Sequence, residues 1–151
     1  MAGLVYTIGT STRSIQEFIS ILKRFQLKAV VDVRKFPVSR LKHFGKIQLS
    51  SELKRSGIKY FYLGNFLGGF RDGGYGRHIQ SSEFEQGIKR LKKIASEHRT
   101  AFVCAERIPS RCHRRFIASR LNSDGWRVIH ILDREQTWEP EDKQTDLRLD
   151  I

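Results

Sequence analysis

Leu4-Val5-Tyr6-Thr7-Ile8-Gly9-Thr10-Ser11-Thr12-Arg13-Ser14-Ile15-Gln16-Glu17 contains the pattern that sets the fold. Leu4–Ile8 is apolar, too short for a helix, and stops at Gly9. A polar loop follows. Ser14 then opens a capping box, offering its hydroxyl to the first turn, with Glu17 three residues on. Behind it Ile15, Phe18, Ile19, Leu22 and Phe25 recur at helical spacing. Strand, glycine turn and capped helix make the first half of a βαβ unit.

The same order repeats outward from this unit. Ala29–Val33 is a second apolar strand, rich in β-branched residues, which Pro37 prevents from running far. A helix around Leu49–Arg55 ends before Gly57, and Ile58–Leu63 is a third strand. Residues 64–77 form a glycine-rich loop. Ser82-Glu83-Phe84-Glu85 reads as a second capping box, followed by Phe84, Ile88, Leu91 and Ile94 on one helical face. Ala101–Cys104 is a fourth strand. Pro109-Ser110 places an N-cap before a helix with Phe116, Ile117 and Leu121 inward, and Val128–Leu132 is a fifth strand. Short apolar strands alternating with amphipathic helices predict a single three-layer α/β domain over residues 1–133. It has about five mostly parallel strands and helices on both faces. Residues 134–151 read as a polar, mildly acidic tail with room for a short helix or strand.

Charge divides along the same boundary. The 151 residues carry 28 Lys plus Arg against 16 Asp plus Glu, a formal net charge of +12. The tail has six acids and three bases, so the body holds the whole excess. A strongly basic body attracts polyanions and speeds their arrival. No apolar run approaches the roughly 20 residues needed to span a bilayer, so no membrane partner is expected. The N-terminus lacks the basic and apolar regions of a secretory signal, and two cysteines are not a disulfide framework. The expected compartment is the cytoplasm.

In an open parallel sheet, ligands bind beyond the carboxyl ends of the strands. The loops expected there gather the chemistry. Gly9, Ser11 and Arg13 follow the first strand. Arg34, Arg40, Lys42 and His43 follow the second. Arg71 lies in the glycine loop, and Arg111, Arg114 and Arg115 follow the fourth strand. The loops of the opposite edge are short. This clustering points to an anion-binding rim for nucleic acid or another phosphate-bearing partner. Phe36, Phe44, Phe66, Phe70 and Tyr75 thread the loops, either to stack on bases or to anchor the chain. The glycines do not fit a dinucleotide or phosphate-loop fingerprint, and neither a cofactor nor a metal is expected.

Four rim residues are candidates for catalysis. Asp32 and Glu106 stand at or just past strand ends. Each is either a general base or nucleophile, or the partner of an arginine: Asp32 of Arg34 or Arg114, Glu106 of Arg107. Cys112 is expected about two positions inside a helix, among Arg111, Arg114 and Arg115, where the dipole and cations favour thiolate. His113 would be an acid/base or a phosphate donor. Cys104 reads as a small core residue, His43 as an exposed loop residue and His130 as a satisfied core histidine.

Thr7-Ile8-Gly9-Thr10-Ser11, Val31-Asp32-Val33-Arg34 with Pro37 and Ser39-Arg40, His43-Phe44, Leu67-Gly68-Gly69, and Cys104-Ala105-Glu106 with Pro109 and Cys112-His113-Arg114-Arg115 resemble the family catalogued as domain of unknown function 488. The resemblance spans roughly residues 4–132. It implies a compact three-layer α/β fold and leaves the activity open. Where the family pattern often has His, this chain has Thr10, so no role of that histidine carries over.

Three functions follow from these residues. The first is an enzyme that processes a lesion, base or phosphodiester of DNA or RNA, with rim cations on the phosphates. The second is a nucleic-acid-binding module without chemistry. The third is a cysteine-dependent sulfur-transfer or redox enzyme acting on a small anion.

Overall fold

The computed structural model describes residues 3–35, 41–69, 71, 73–109 and 112–140. Every expected strand is present: β1 (Leu4–Gly9), β2 (Ala29–Asp32), β3 (Lys59–Tyr62), β4 (Thr100–Cys104) and β5 (Arg127–Ile131). β1 to β5 pair in parallel, and β6 (Thr137–Trp138) adds an antiparallel edge to β5, giving the order β3-β2-β4-β1-β5-β6. The tail thus begins by extending the sheet; residues 141–151 lie outside the described residues.

The helices are α1 (Ile15–Arg24), α2 (Lys46–Arg55), α5 (Ser82–Glu97) and α6 (Arg114–Ser123). Two single turns, α3 (Gly64–Leu67) and α4 (Tyr75–His78), lie within the glycine-rich segment. Ser14 caps α1 as its sequence requires, accepting the Glu17 amide at 3.0 Å. The cap of α5 is Ser81 rather than Ser82. Ser81 is extended and its Oγ accepts the Phe84 amide at 3.1 Å, while Ser82 is already helical. The last helix begins later than a cap at Ser110 would place it. A turn closes first, from the Cys112 amide to the Pro109 carbonyl, and Ser110 lies outside the described residues.

Strand periodicity divides the core between two faces. Tyr6, Ile8, Val30, Ala101 and Val103 pack with Phe18, Ile21 and Leu22 of α1 and Leu49 and Leu53 of α2. Val5, Val31, Phe102 and Val128 pack with Phe84, Ile88 and Leu91 of α5 and Ile117 and Leu121 of α6. β1 and β2 therefore lead onto one face, and β3 and β4 onto the other. In the order β3-β2-β4-β1, each adjacent pair sends its chain to opposite sides. Such divergence opens crevices at the carboxyl edge.

Glycines let the loops of this edge meet. A Cβ on Gly9 would overlap the Glu106 carbonyl, one on Gly64 the Arg34 carbonyl, and one on Gly68 the backbone of Lys35. The loop after β1 is bonded to that after β4, with Thr10 and Ser11 amides donating to Cys104 and Ala105 carbonyls at 2.8 Å each. Gly9→Ala must force these loops apart, and is expected to lower unfolding stability by about 1–3 kcal/mol in urea. Gly76→Ala, which meets open space, is the control and should change little.

Candidate functional site

Four arginines from the rim turn inward. Arg114 heads the buried stripe of α6, ahead of Ile117, Ala118 and Leu121, and is wholly buried (0% exposed). It donates to Thr7 Oγ1 at 2.9 Å, to the Glu106 carbonyl at 2.6 Å and to the Arg107 carbonyl at 3.2 Å. Its Nε is buried without a hydrogen-bond partner among the described residues. Burial draws its pKa down to about 10. Arg13 donates to the Gly9 and Leu132 carbonyls at 3.1 and 2.6 Å. Arg71 donates to the Gly68, Gly64 and Asn65 carbonyls. Arg34 spans Asp32 and the Phe44 carbonyl. These guanidiniums satisfy backbone carbonyls of the loops and short turns that follow the strands, Gly9 and Leu132 at strand ends and Phe44, Gly64, Asn65 and Gly68 beyond them.

Asp32 is fully buried and ringed by donors. Arg34 binds it with two fork contacts, Nε at 2.9 Å and a terminal nitrogen at 2.8 Å, and its amide adds a third at 3.1 Å. The Tyr60 hydroxyl donates to the other oxygen at 2.6 Å. Burial, with the Asp32 charge, pushes the Tyr60 hydroxyl far above its ordinary range, so it stays a donor. Of the two fates open to Asp32, the geometry shows the arginine partnership. Asp32→Asn leaves the buried Arg34 charge without its carboxylate, and should cost about 3–5 kcal/mol in thermal or urea unfolding.

The crevice between β2 and β4 holds the other candidates. Cys104 ends β4 and is buried (1% exposed). Cys112 is half-buried and lies two residues before α6 rather than inside it. Its sulfur accepts the Arg114 amide at 3.4 Å and is in contact with the sulfur of Cys104. The spacing of the two cysteines matches no known motif. They meet because the end of β4 and the start of α6 converge across one turn.

His113 is the N-cap of α6 and places Nε2 2.9 Å from the Val33 carbonyl. A carbonyl only accepts, so Nε2 carries the proton. Burial lowers the pKa of His113, leaving Nδ1 unprotonated, 3.6 Å from the Cys112 sulfur. The Glu106 side chain is exposed just past β4, while its carbonyl serves Arg114.

The remaining rim residues divide. Lys42 and Arg115 are exposed; Arg40 and Arg111 lie outside the described residues. His43 is half-buried rather than exposed, its Nε2 2.9 Å from the Arg13 carbonyl and its ring against Phe44. Ser11 adopts a left-handed turn (φ 50°) that seats its amide on Ala105. Gly9 lies against the Glu106 carbonyl. Of the loop aromatics, Phe44 is core, and Tyr75 is wedged against His78, Phe84, His113 and Phe116. Phe36 and Phe70 are outside the described residues.

Beside this crevice, beyond β2 and β3, lies a cavity of about 470 Å³ lined by Lys35, Arg71, Arg77, His78, Gln80, Ser81 and Glu83. Arg77 and His78 belong to the glycine loop expected at this rim after the third strand; that they stand on a short helix, α4, lining a cavity was not expected. Among the described residues, no group of three or more His, Cys, Asp or Glu is placed to hold a metal ion. No helix among them is long and apolar enough to cross a membrane.

His130 on β5 is buried behind the site, its Nδ1 2.6 Å from Thr7 Oγ1. Burial, and next the Arg114 charge, pull its pKa down to about 4. The unfolded chain takes a proton near pH 6.5 that the folded chain refuses until about pH 4. Stability should therefore be complete above pH 6.5 and fall as pH drops toward 4, by about 3 kcal/mol from this residue. His78 and His113 are shifted in the same direction and steepen the fall. Urea unfolding across this range, with His130→Gln flattening the slope, is the check.

The family model described as domain of unknown function DUF488 matches residues 14–121. No curated protein and no solved structure matches the chain.

Proposed function

The chain belongs to the domain of unknown function 488 family, and from that premise we propose that it is an enzyme directed at DNA or RNA, working at the carboxyl edge of its sheet. The observation that carries this reading is the cavity beyond β2 and β3. Lys35, Arg71, Arg77 and His78 line it against one carboxylate, Glu83. The lining is net positive, which suits a phosphate, with the exposed Arg77 as its outward donor, while Arg71 is bonded to carbonyls and His78, its pKa lowered by burial, is bonded to the Phe66 carbonyl. The cavity opens beside the crevice that holds Cys112 and His113, since Tyr75 touches both His78 and His113.

In this reading the outer cations take the phosphates of a strand laid across the rim. Inner arginines keep the loops in register, because their donors are committed to carbonyls and to Asp32. Asp32 is then a positioning residue, acting through Arg34. Proton transfer falls to groups with free electron pairs at the rim, the Nδ1 of His113 and the carboxylate of Glu106. Cys112 is the adjacent nucleophile.

The test is retention of labelled single- and double-stranded DNA and RNA over a salt series, each sample then run on a denaturing gel. Affinity should fall steeply with salt, and Arg77→Glu should weaken it across sequences, reducing the salt slope by about one. A shortened or heat-labile strand, lost in Glu106→Gln or His113→Gln, supports the enzyme. Salt-sensitive retention of strands that stay intact returns the chain to a binding module. Salt-independent affinity overturns both.

A further inference from the structure

We propose that Cys112 and Cys104 form a thiol–disulfide couple that exchanges with small-molecule disulfides of the glutathione type, Cys112 attacking and Cys104 resolving. This does not rest on which anion occupies the rim. Three observations carry it. The two sulfurs are in contact across the crevice. Cys112 is half-buried, whereas Cys104 is 1% exposed, so only Cys112 is open to an incoming disulfide. The Cys112 sulfur also has both partners that a thiolate requires. The Arg114 amide at the start of α6 donates to it at 3.4 Å, and the unprotonated Nδ1 of His113 stands 3.6 Å away to take its proton.

The exchange balances without another reactant. His113 accepts the Cys112 proton, and the thiolate attacks one sulfur of the small disulfide. A bond forms from Cys112 to that sulfur, the small S–S bond breaks, and one thiolate leaves and is protonated. Cys104 then gives up its proton and attacks the Cys112 sulfur, releasing the second small thiol. Both protein thiols are oxidised to one disulfide, and the small disulfide is reduced to two thiols. The bond closes a ring over residues 104–112, which includes the Glu106 and Arg107 carbonyls that receive Arg114. The redox state of the couple thus bears on the same loop that the buried arginine holds.

The experiment uses the full chain, reduced with dithiothreitol, freed of it and exposed to oxidised glutathione at several ratios to reduced glutathione. Intact mass and thiol labelling are read after an acid quench. The wild type should lose both labelled thiols together, with no lasting glutathione adduct, and recover them in excess reduced glutathione. Cys104→Ala should hold one glutathione on Cys112, and Cys112→Ser should react at neither position. His113→Gln should slow adduct formation in the Cys104→Ala background about tenfold at neutral pH, with the difference closing at alkaline pH where the thiol ionises unaided. Two thiols still labelled in the wild type under excess oxidised glutathione would overturn the proposal. So would a stable adduct on wild-type Cys112. Because the wild-type measurement requires no substitution, a variant that fails to fold leaves the test intact.

Discussion

A guanidinium buried in the sheet's carboxyl edge constrains everything around it. Arg114 carries its charge where no water reaches, and among the described residues no carboxylate forms an ion pair with it. What stabilises it is a set of oxygen dipoles: the Thr7 hydroxyl from β1 and the Glu106 and Arg107 carbonyls from the loop after β4. An isolated buried charge is among the costliest groups in a protein interior. The loop therefore has to bring two carbonyls to one point, and β1 has to present a hydroxyl at Thr7, between Phe102 of β4 and His130 of β5. His130 is fitted behind the same hydroxyl and is kept neutral by burial and next by the nearby cation.

The glycines and the other inner arginines extend this constraint along the rim. Parallel strands end with carbonyls that have no partner in the next element, and four loops crowd the same edge. Gly9, Gly64 and Gly68 remove the side chains that would hold those loops apart. Arg13, Arg34 and Arg71 then bond the carbonyls so exposed. A rim built this way is positively charged and stiff together. Of the cations that face outward, Arg77 sits on α4, Arg115 in the first turn of α6 and Lys42 in the short 3-10 turn Lys42–Phe44, so each stands on hydrogen-bonded backbone. Pre-set loops reduce the ordering cost of any ligand that binds there.

The strand ends also decide where reactive groups stand. Because adjacent strands of β3-β2-β4-β1 lead onto opposite faces, the chain diverges at each boundary. The β2/β4 crevice receives the end of β4 with Cys104 and the start of α6 with Cys112 and His113. Val33, just past β2, offers the carbonyl that fixes the histidine tautomer. Imidazole, one sulfur and helix amide come from the contiguous Cys112-His113-Arg114, and topology adds the Cys104 sulfur and the Val33 carbonyl from distant segments.

The strands, the four main helices, the face each presents and the gathering of cations at one edge were legible in the sequence. Periodicity and capping are local properties, and the parallel order follows from the alternation of elements. The sequence alone also placed Asp32, Glu106, Cys112 and His113 at that edge. It could not separate cations that face solvent from those that hold the fold. Arg114 and Arg115 are neighbours of one residue type, yet one is wholly buried and the other exposed, by the 100° turn that separates successive helical residues. Nor could it bring Cys104 to Cys112, or give Asp32 to Arg34 and Tyr60 while leaving Glu106 exposed. Those outcomes depend on which loops converge and how closely glycine lets them approach, and that is set by packing between segments distant in sequence.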